Sequence, residues 1–173
     1  FVGEMLRDFG LLREVILRLQ AKRRDVSFTI IVWPEKQALF SGLSNVRVLS
    51  NITDAQLRDE YQKATLLLLP LTNCTANNSI LESISCGLPV VTTDVGGVRG
   101  YLDNSCSALC RKGDADEMAA AVERLLDNDV LLAEMRTAAR KRALVFSWEN
   151  VAAQALSIFN TQFDFDPIPV SPP

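Results

Sequence analysis

Apolar and polar positions follow two rhythms along this chain, and the switching between them predicts its architecture. Short continuous apolar runs occur at Ser27–Val32, Val46–Leu49, Leu66–Leu69 and Val90–Thr92, each followed by a proline, an asparagine or a glycine turn. Runs of this length and makeup are strands buried on both faces. Phe1–Gly3 reads as the end of another strand and Ser107–Cys110 as a short edge strand. The intervening stretches have helical period. From Phe9 to about Arg24, residues Leu12, Val15, Ile16 and Leu19 share one side, with Arg13, Glu14, Arg18 and Lys22 on the other. Thr53-Asp54-Ala55-Gln56 has capping-box spacing and opens a helix to about Lys63. Asp114 starts another in the same style, a further one runs from about Val130 to Leu144, and Ser147 caps the last. In that last helix Trp148, Val151, Ala155 and Phe159 form an apolar stripe, either core or an interface.

Strands alternating with helices predict an α/β domain: a Rossmann-like, doubly wound, mostly parallel sheet with helices on both faces. Residues 1–163 form that domain, and the proline-rich segment 164–173 is expected to be a disordered tail. Ligands of such sheets bind beyond the C-terminal ends of the strands. Gly3–Arg7, Asn51–Thr53, Asn73–Ser79 and Asp94–Gly97 each follow a strand, so folding should gather them at one edge.

The richest of these stretches runs from Leu66 to Asp94. Asn77 or Asn78 can cap a short helix whose apolar side is Ile80, Leu81, Ile84 and Leu88. Gly87 supplies a left-handed C-terminal cap and Pro89 stops the helix from resuming. Asn78, Ser79, Glu82 and Ser85 fall on the opposite side. Glu82 is thus either a solvated surface carboxylate or an acceptor for a ligand's hydroxyls, with an anion resting on the helix N-terminus.

Composition narrows the chemistry. With 173 residues and 48% hydrophobic content, the chain can bury a substantial core. A net charge of −3 gives no argument for a nucleic-acid partner. There is no histidine, which excludes a histidine base within these residues. Cys74, Cys86, Cys106 and Cys110 lack metal-site spacing and read as free thiols of a reducing cytosol. No apolar run approaches the length of a membrane span. Phe1 sits inside an apparent strand, so the chain is expected to be a piece whose upstream half is absent.

Thr75-Ala76-Asn77-Asn78-Ser79-Ile80-Leu81-Glu82, then Cys86-Gly87-Leu88-Pro89-Val90-Val91 and Asp94-Val95-Gly96-Gly97-Val98, resembles the donor-site signature of glycosyltransferase family 4. These are the group 1 glycosyltransferases, retaining enzymes of GT-B fold. The resemblance implies that the chain is the C-terminal, donor-binding half of such an enzyme. The ligand would then be a nucleoside diphosphate sugar, bound without a divalent metal or other cofactor. Glu82 matches the family glutamate that holds the nucleotide ribose. Asn77, Asn78, Ser79 and Thr75 would surround the diphosphate, Gly3 would admit it closely, and the Ile52 turn would offer backbone groups to the base. The acceptor, whether sugar, lipid or protein, would meet the donor in a cleft with the absent N-terminal domain. A cytoplasmic location is expected, with the inner face of a membrane as an option.

Several positions depart from the family, Gly100 among them, where an acidic residue is common. Cys74 stands where the first of two glutamates belongs, and Glu4 and Phe9 stand where an arginine and a lysine contact the diphosphate. Arg7 is the one cation left in that loop, either reaching the phosphates or pairing with Glu4 or Asp8. Trp33 stands where many members have a glycine-rich turn and is either a core or interdomain tryptophan or a stack for a base. Two alternatives remain open at this level: a degenerate homologue that binds nucleotide or a protein partner without transfer, and a sugar-nucleotide epimerase of related fold.

Overall fold

The computed structural model describes residues 1–163; segment 164–173, expected as a tail, lies outside the described residues. The strands are β1 (Phe28–Ile31), β2 (Val46–Leu49), β3 (Leu67–Leu69), β4 (Val90–Thr93) and β5 (Ser107–Cys110). The helices are α1 (Phe9–Lys22), α2 (Asp54–Lys63), α3 (Asn78–Ser85), α4 (Val98–Tyr101), α5 (Ala115–Leu126), α6 (Asp129–Leu144) and α7 (Trp148–Phe163). The short α4 and a 3-10 helix at Pro34–Phe40 have no counterpart in the hydrophobic pattern, being too short to show a period.

All strand pairs are parallel. β1 pairs β2 with Ile31 opposite Leu49, and β4 lies between β3 and β5 with Val91 opposite both Leu68 and Ala108. The N-terminal segment joins the two sheets. Val2 bridges Ile31 in parallel, and the loop after it returns to β3, where Asp8 N–H donates to the Pro70 carbonyl at 3.0 Å.

Two apolar layers sandwich the strands, which explains why β3 is apolar at every position. Leu68 and Val91 face a layer built on α1 and α5, with Leu12, Ile16, Leu19, Met118, Val122 and Leu125. Leu67, Leu69 and Val90 face the other layer, with Tyr61 of α2, Ile80 and Ile84 of α3, and Ala139 and Ala143 of α6. Neighbouring residues of one strand thus serve opposite layers, as the strand pleat requires.

The stripe on α7 is not core. Trp148 is 86% exposed, and Val151, Leu156 and Ile158 are exposed with it. Asn150 N–H donates to Ser147 Oγ at 3.3 Å, so the expected cap is present. All four cysteines are free; Cys74, Cys106 and Cys110 are buried and Cys86 partly so.

Candidate functional site

The C-terminal ends of the strands gather around the start of α3. Of the two asparagines that could cap this helix, Asn77 does so, its Oδ1 accepting from Ile80 N–H at 3.3 Å. Asn78 is exposed in the first turn, and Ser79 behind it is buried. The cap leaves the amides of Asn78 and Ser79 without an intrahelical acceptor, as at any helix start. At the far end Gly87 takes φ +71°, Gly87 N–H donates to Ile84 O at 3.0 Å and Leu88 N–H to Ser83 O at 2.9 Å. This paired pattern closes the helix and fixes its direction.

Arg7 approaches that helix start from the N-terminal loop. Its guanidinium donates to Ser79 Oγ at 2.9 Å and to Asn77 Oδ1 at 3.5 Å. It also donates to the carbonyls of Val2 at 2.9 Å and Met5 at 3.0 Å. The alternative pairing with Glu4 or Asp8 does not form: Asp8 instead caps α1, accepting from Leu11 N–H at 2.9 Å. Burial draws the Arg7 pKa down from the ordinary guanidinium value, with Tyr61, Cys74, Glu4 and Glu82 acting the other way. Arg7 remains a cation. It adds to the positive end of the α3 dipole, and a positive charge and a helix N-terminus together favour an anion.

Gly3 leaves room for this arrangement. It takes φ +101°, and a Cβ there would lie 2.8 Å from Arg7 Nη2. Leu6 and Asn51, the non-glycine residues with positive φ among those described, also sit on this edge, at +59° and +54°. Left-handed backbone at a leucine is rare and marks a segment held by its surroundings. Here Leu6 O accepts from Thr72 N–H at 2.9 Å.

Glu82 lies one turn into α3 and is exposed. Its Oε2 accepts the Tyr61 hydroxyl at 3.0 Å. Tyr61 is 4% exposed, and burial followed by the Glu82 charge pushes its phenol pKa up, so it stays a donor. Sequence reasoning missed Tyr61. Its only signal was an aromatic late in an otherwise polar helix, where buried phenols need a partner.

The other expected residues divide. Ile52 is half-buried between Asn51 and the Thr53 cap, whose capping box is complete. Thr75 is exposed and its hydroxyl makes no hydrogen bond among the described residues, while Cys74 is buried with its thiol directed to Thr75 O at 3.3 Å. Gly96 takes φ +52° against the Cys74 backbone, and Gly97 N–H donates to Cys74 O at 2.8 Å. Glu4 accepts from Trp33 N–H. Trp33 is 66% exposed and therefore not core.

A cavity of about 500 Å³ lies at the opposite ends of the strands, between the starts of β1 and β3, and none of these residues lines it. The site is an open edge. Among the described residues no group of three or more carboxylate or thiol side chains is arranged for a metal, and no helix is long and apolar enough to cross a membrane.

In parallel α/β sheets ligands bind beyond the C-terminal ends of the strands, and there this chain gathers Arg7, the start of α3 and Glu82. Comparison makes the assignment specific. Residues 1–128 match the family model described as glycosyl transferases group 1, and the chain belongs to that family. It is 27% identical over 164 residues to an MMP alpha-(1->4)-mannosyltransferase of Mycolicibacterium hassiacum, covering 89% of this chain and 40% of that protein. It is 34% identical over 121 residues to a D-inositol 3-phosphate glycosyltransferase of Corynebacterium aurimucosum, covering 65% of this chain and 29% of that one. The chain spans less than half the length of these curated relatives. Among solved structures, sucrose-phosphate synthase from Thermosynechococcus elongatus superposes with a TM-score of 0.75 at 19% identity, over 93% of this chain and 43% of that one. The pneumococcal O-GlcNAc transferase GtfA, solved with UDP and GlcNAc, gives 0.75 at 16% identity, over 91% and 34%. The expected GT-B-type α/β fold is thereby established.

Proposed function

We propose that this chain is the donor-binding part of a retaining glycosyltransferase that moves a sugar from a nucleoside diphosphate to an acceptor held mainly by residues outside it. The observation that carries this reading is the Arg7 guanidinium, bonded to Ser79 Oγ directly before the free amides of α3, with Glu82 one turn further on. The diphosphate rests on the amides of Asn78 and Ser79 beside Arg7. The ribose hydroxyls donate to Glu82, whose orientation Tyr61 holds. The base lies toward Ile52, and Gly96 and Gly97 close the far side. As the glycosidic bond breaks, charge gathers on the leaving diphosphate, where a preorganised cation and helix dipole stabilise it.

Calorimetric titration of the chain with UDP, GDP and ADP tests this, beside Glu82→Ala. Each hydrogen bond from a hydroxyl to an ionised carboxylate contributes about 1.5–3 kcal/mol, so losing two should weaken binding on the order of a hundredfold. Equal affinity of the native and Glu82→Ala chains removes Glu82 from the ribose. A second reading, nucleotide binding without transfer, is favoured by Glu4, Phe9 and Cys74. It predicts that the full-length protein binds nucleotide yet releases no free sugar from any nucleotide-sugar donor.

A further inference from the structure

We infer that Trp33 is the stacking platform for the nucleobase of the ligand held at Glu82, an inference that rests on the donor-site reading above. Three observations converge on it. The first is place. Continuing the β1–β2 register from Ile31 opposite Leu49 puts Trp33 opposite Asn51, at the turn that precedes α2. The second is face. Phe28, Ile30 and Val32 pack toward the layer of α1 and α5, whereas Arg47 bonds both Thr29 of β1 and Glu60 of α2. Odd-numbered positions of β1 therefore face α2, and Trp33, with extended backbone at φ −65° and ψ 153°, continues that alternation. This is the side on which Tyr61 of α2 reaches Glu82.

The third observation is the contrast between a fixed backbone and a bare ring. Val32 N–H donates to Leu49 O at 3.1 Å and Ser50 Oγ donates to Val32 O. Trp33 N–H donates to Glu4, and Pro34 follows at once in the 3-10 helix. The indole, by contrast, is two-thirds exposed. A flat apolar ring on a fixed backbone at a ligand edge offers a base a stacking surface, and every base offers a π-face. Glu4 gains a purpose as well. It is committed to the Trp33 backbone and so fixes where the ring leaves the chain. Its Oε2 is buried without a partner among the described residues, which ties the carboxylate to the protein side of this loop and away from solvent.

The test uses fluorescence. The chain has two tryptophans, so Trp148→Phe leaves Trp33 as its only indole. Titration of this variant with UDP, GDP and ADP is expected to quench its emission along the calorimetric isotherm. Trp33→Ala should weaken binding by about tenfold or more, Trp33→Phe should recover most of the loss, and neither should change the melting temperature materially, since the ring is exposed. Nucleotide binding that leaves Trp33 emission unchanged, or that Trp33→Ala does not weaken, overturns the stacking role while leaving the donor site standing. Absence of binding by the native chain overturns both.

Discussion

Two glycine loops dock on the β3–α3 connection from different sides, and they are locked in different ways. Gly96 presses against main chain: a Cβ there would lie 2.4 Å from the Cys74 carbonyl oxygen and 2.8 Å from the Cys74 nitrogen. Gly3 presses against a side chain, the Arg7 guanidinium, which has several rotatable bonds with which to give way. One contact is therefore rigid and the other adjustable. The rigid side joins main chain to main chain at Cys74, and the adjustable side carries Arg7, bonded to Ser79. A site held by side chains can exchange its charged partners without losing the fold.

The sharpest way to break this comparison is Gly96→Ala. Left-handed strain and a backbone collision together should cost about 3 kcal/mol or more, roughly 6–12 °C in melting temperature. A melting curve like that of the native chain would show that the Cys74 side also yields. Arg7→Met comes next. It keeps the aliphatic stem but leaves the Val2 carbonyl and Ser79 Oγ without their donor, an expected loss of about 1–2 kcal/mol by urea denaturation. The same variant should bind nucleotide more weakly, whereas a guanidinium with a purely structural role would shift stability alone. Gly3→Ala should be milder than Gly96→Ala, about 1–2 kcal/mol, because only Arg7 must move. Equal costs for Gly3→Ala and Gly96→Ala would erase the distinction between the loops. The smallest effect belongs to Thr75→Ala. An exposed side chain with no bond should change stability by less than about 0.5 kcal/mol, and a larger loss of nucleotide affinity would place its hydroxyl on the ligand.

The pairing of Tyr61 with Glu82 sharpens the same point on the other side of α3. Tyr61→Phe keeps the ring in its layer and removes one donor to an exposed carboxylate that water can replace. A severalfold loss in nucleotide affinity with little change in melting temperature is expected, corresponding to about 0.5–1.5 kcal/mol. A loss as large as that of Glu82→Ala would make Tyr61 part of the ribose contact itself.

Much of the scaffold was legible along the chain because its signals are local. β2 and β5 occupy the residues their apolar runs delimit, and the Thr53, Asp114 and Ser147 caps form within three or four positions of their partners. Gly87 closes α3 for the same reason, its bonds spanning a single turn. The gathering of four loops at one edge also followed from sequence, since parallel strands place every strand-to-helix loop on the same side.

The contacts that give the edge its chemistry were not legible. Arg7 and Ser79 are 72 positions apart, and Tyr61 and Glu82 are 21 apart. No periodicity couples such pairs; they meet because strands and helices stack in a particular order. Whether Arg7 faced a carboxylate or a helix start, whether Trp33 was buried or bare, and whether the α7 stripe was core were all undecided in sequence. Packing decided each of them: Asp8 was taken by the α1 cap, Glu4 by the Trp33 amide, and the inner layers by α1, α5, α3 and α6. Local hydrogen bonds and hydrophobic period set the elements, because they act over one turn or one pleat. Tertiary structure set the partners, because a polar group drawn from water gains by bonding to whatever the fold brings near.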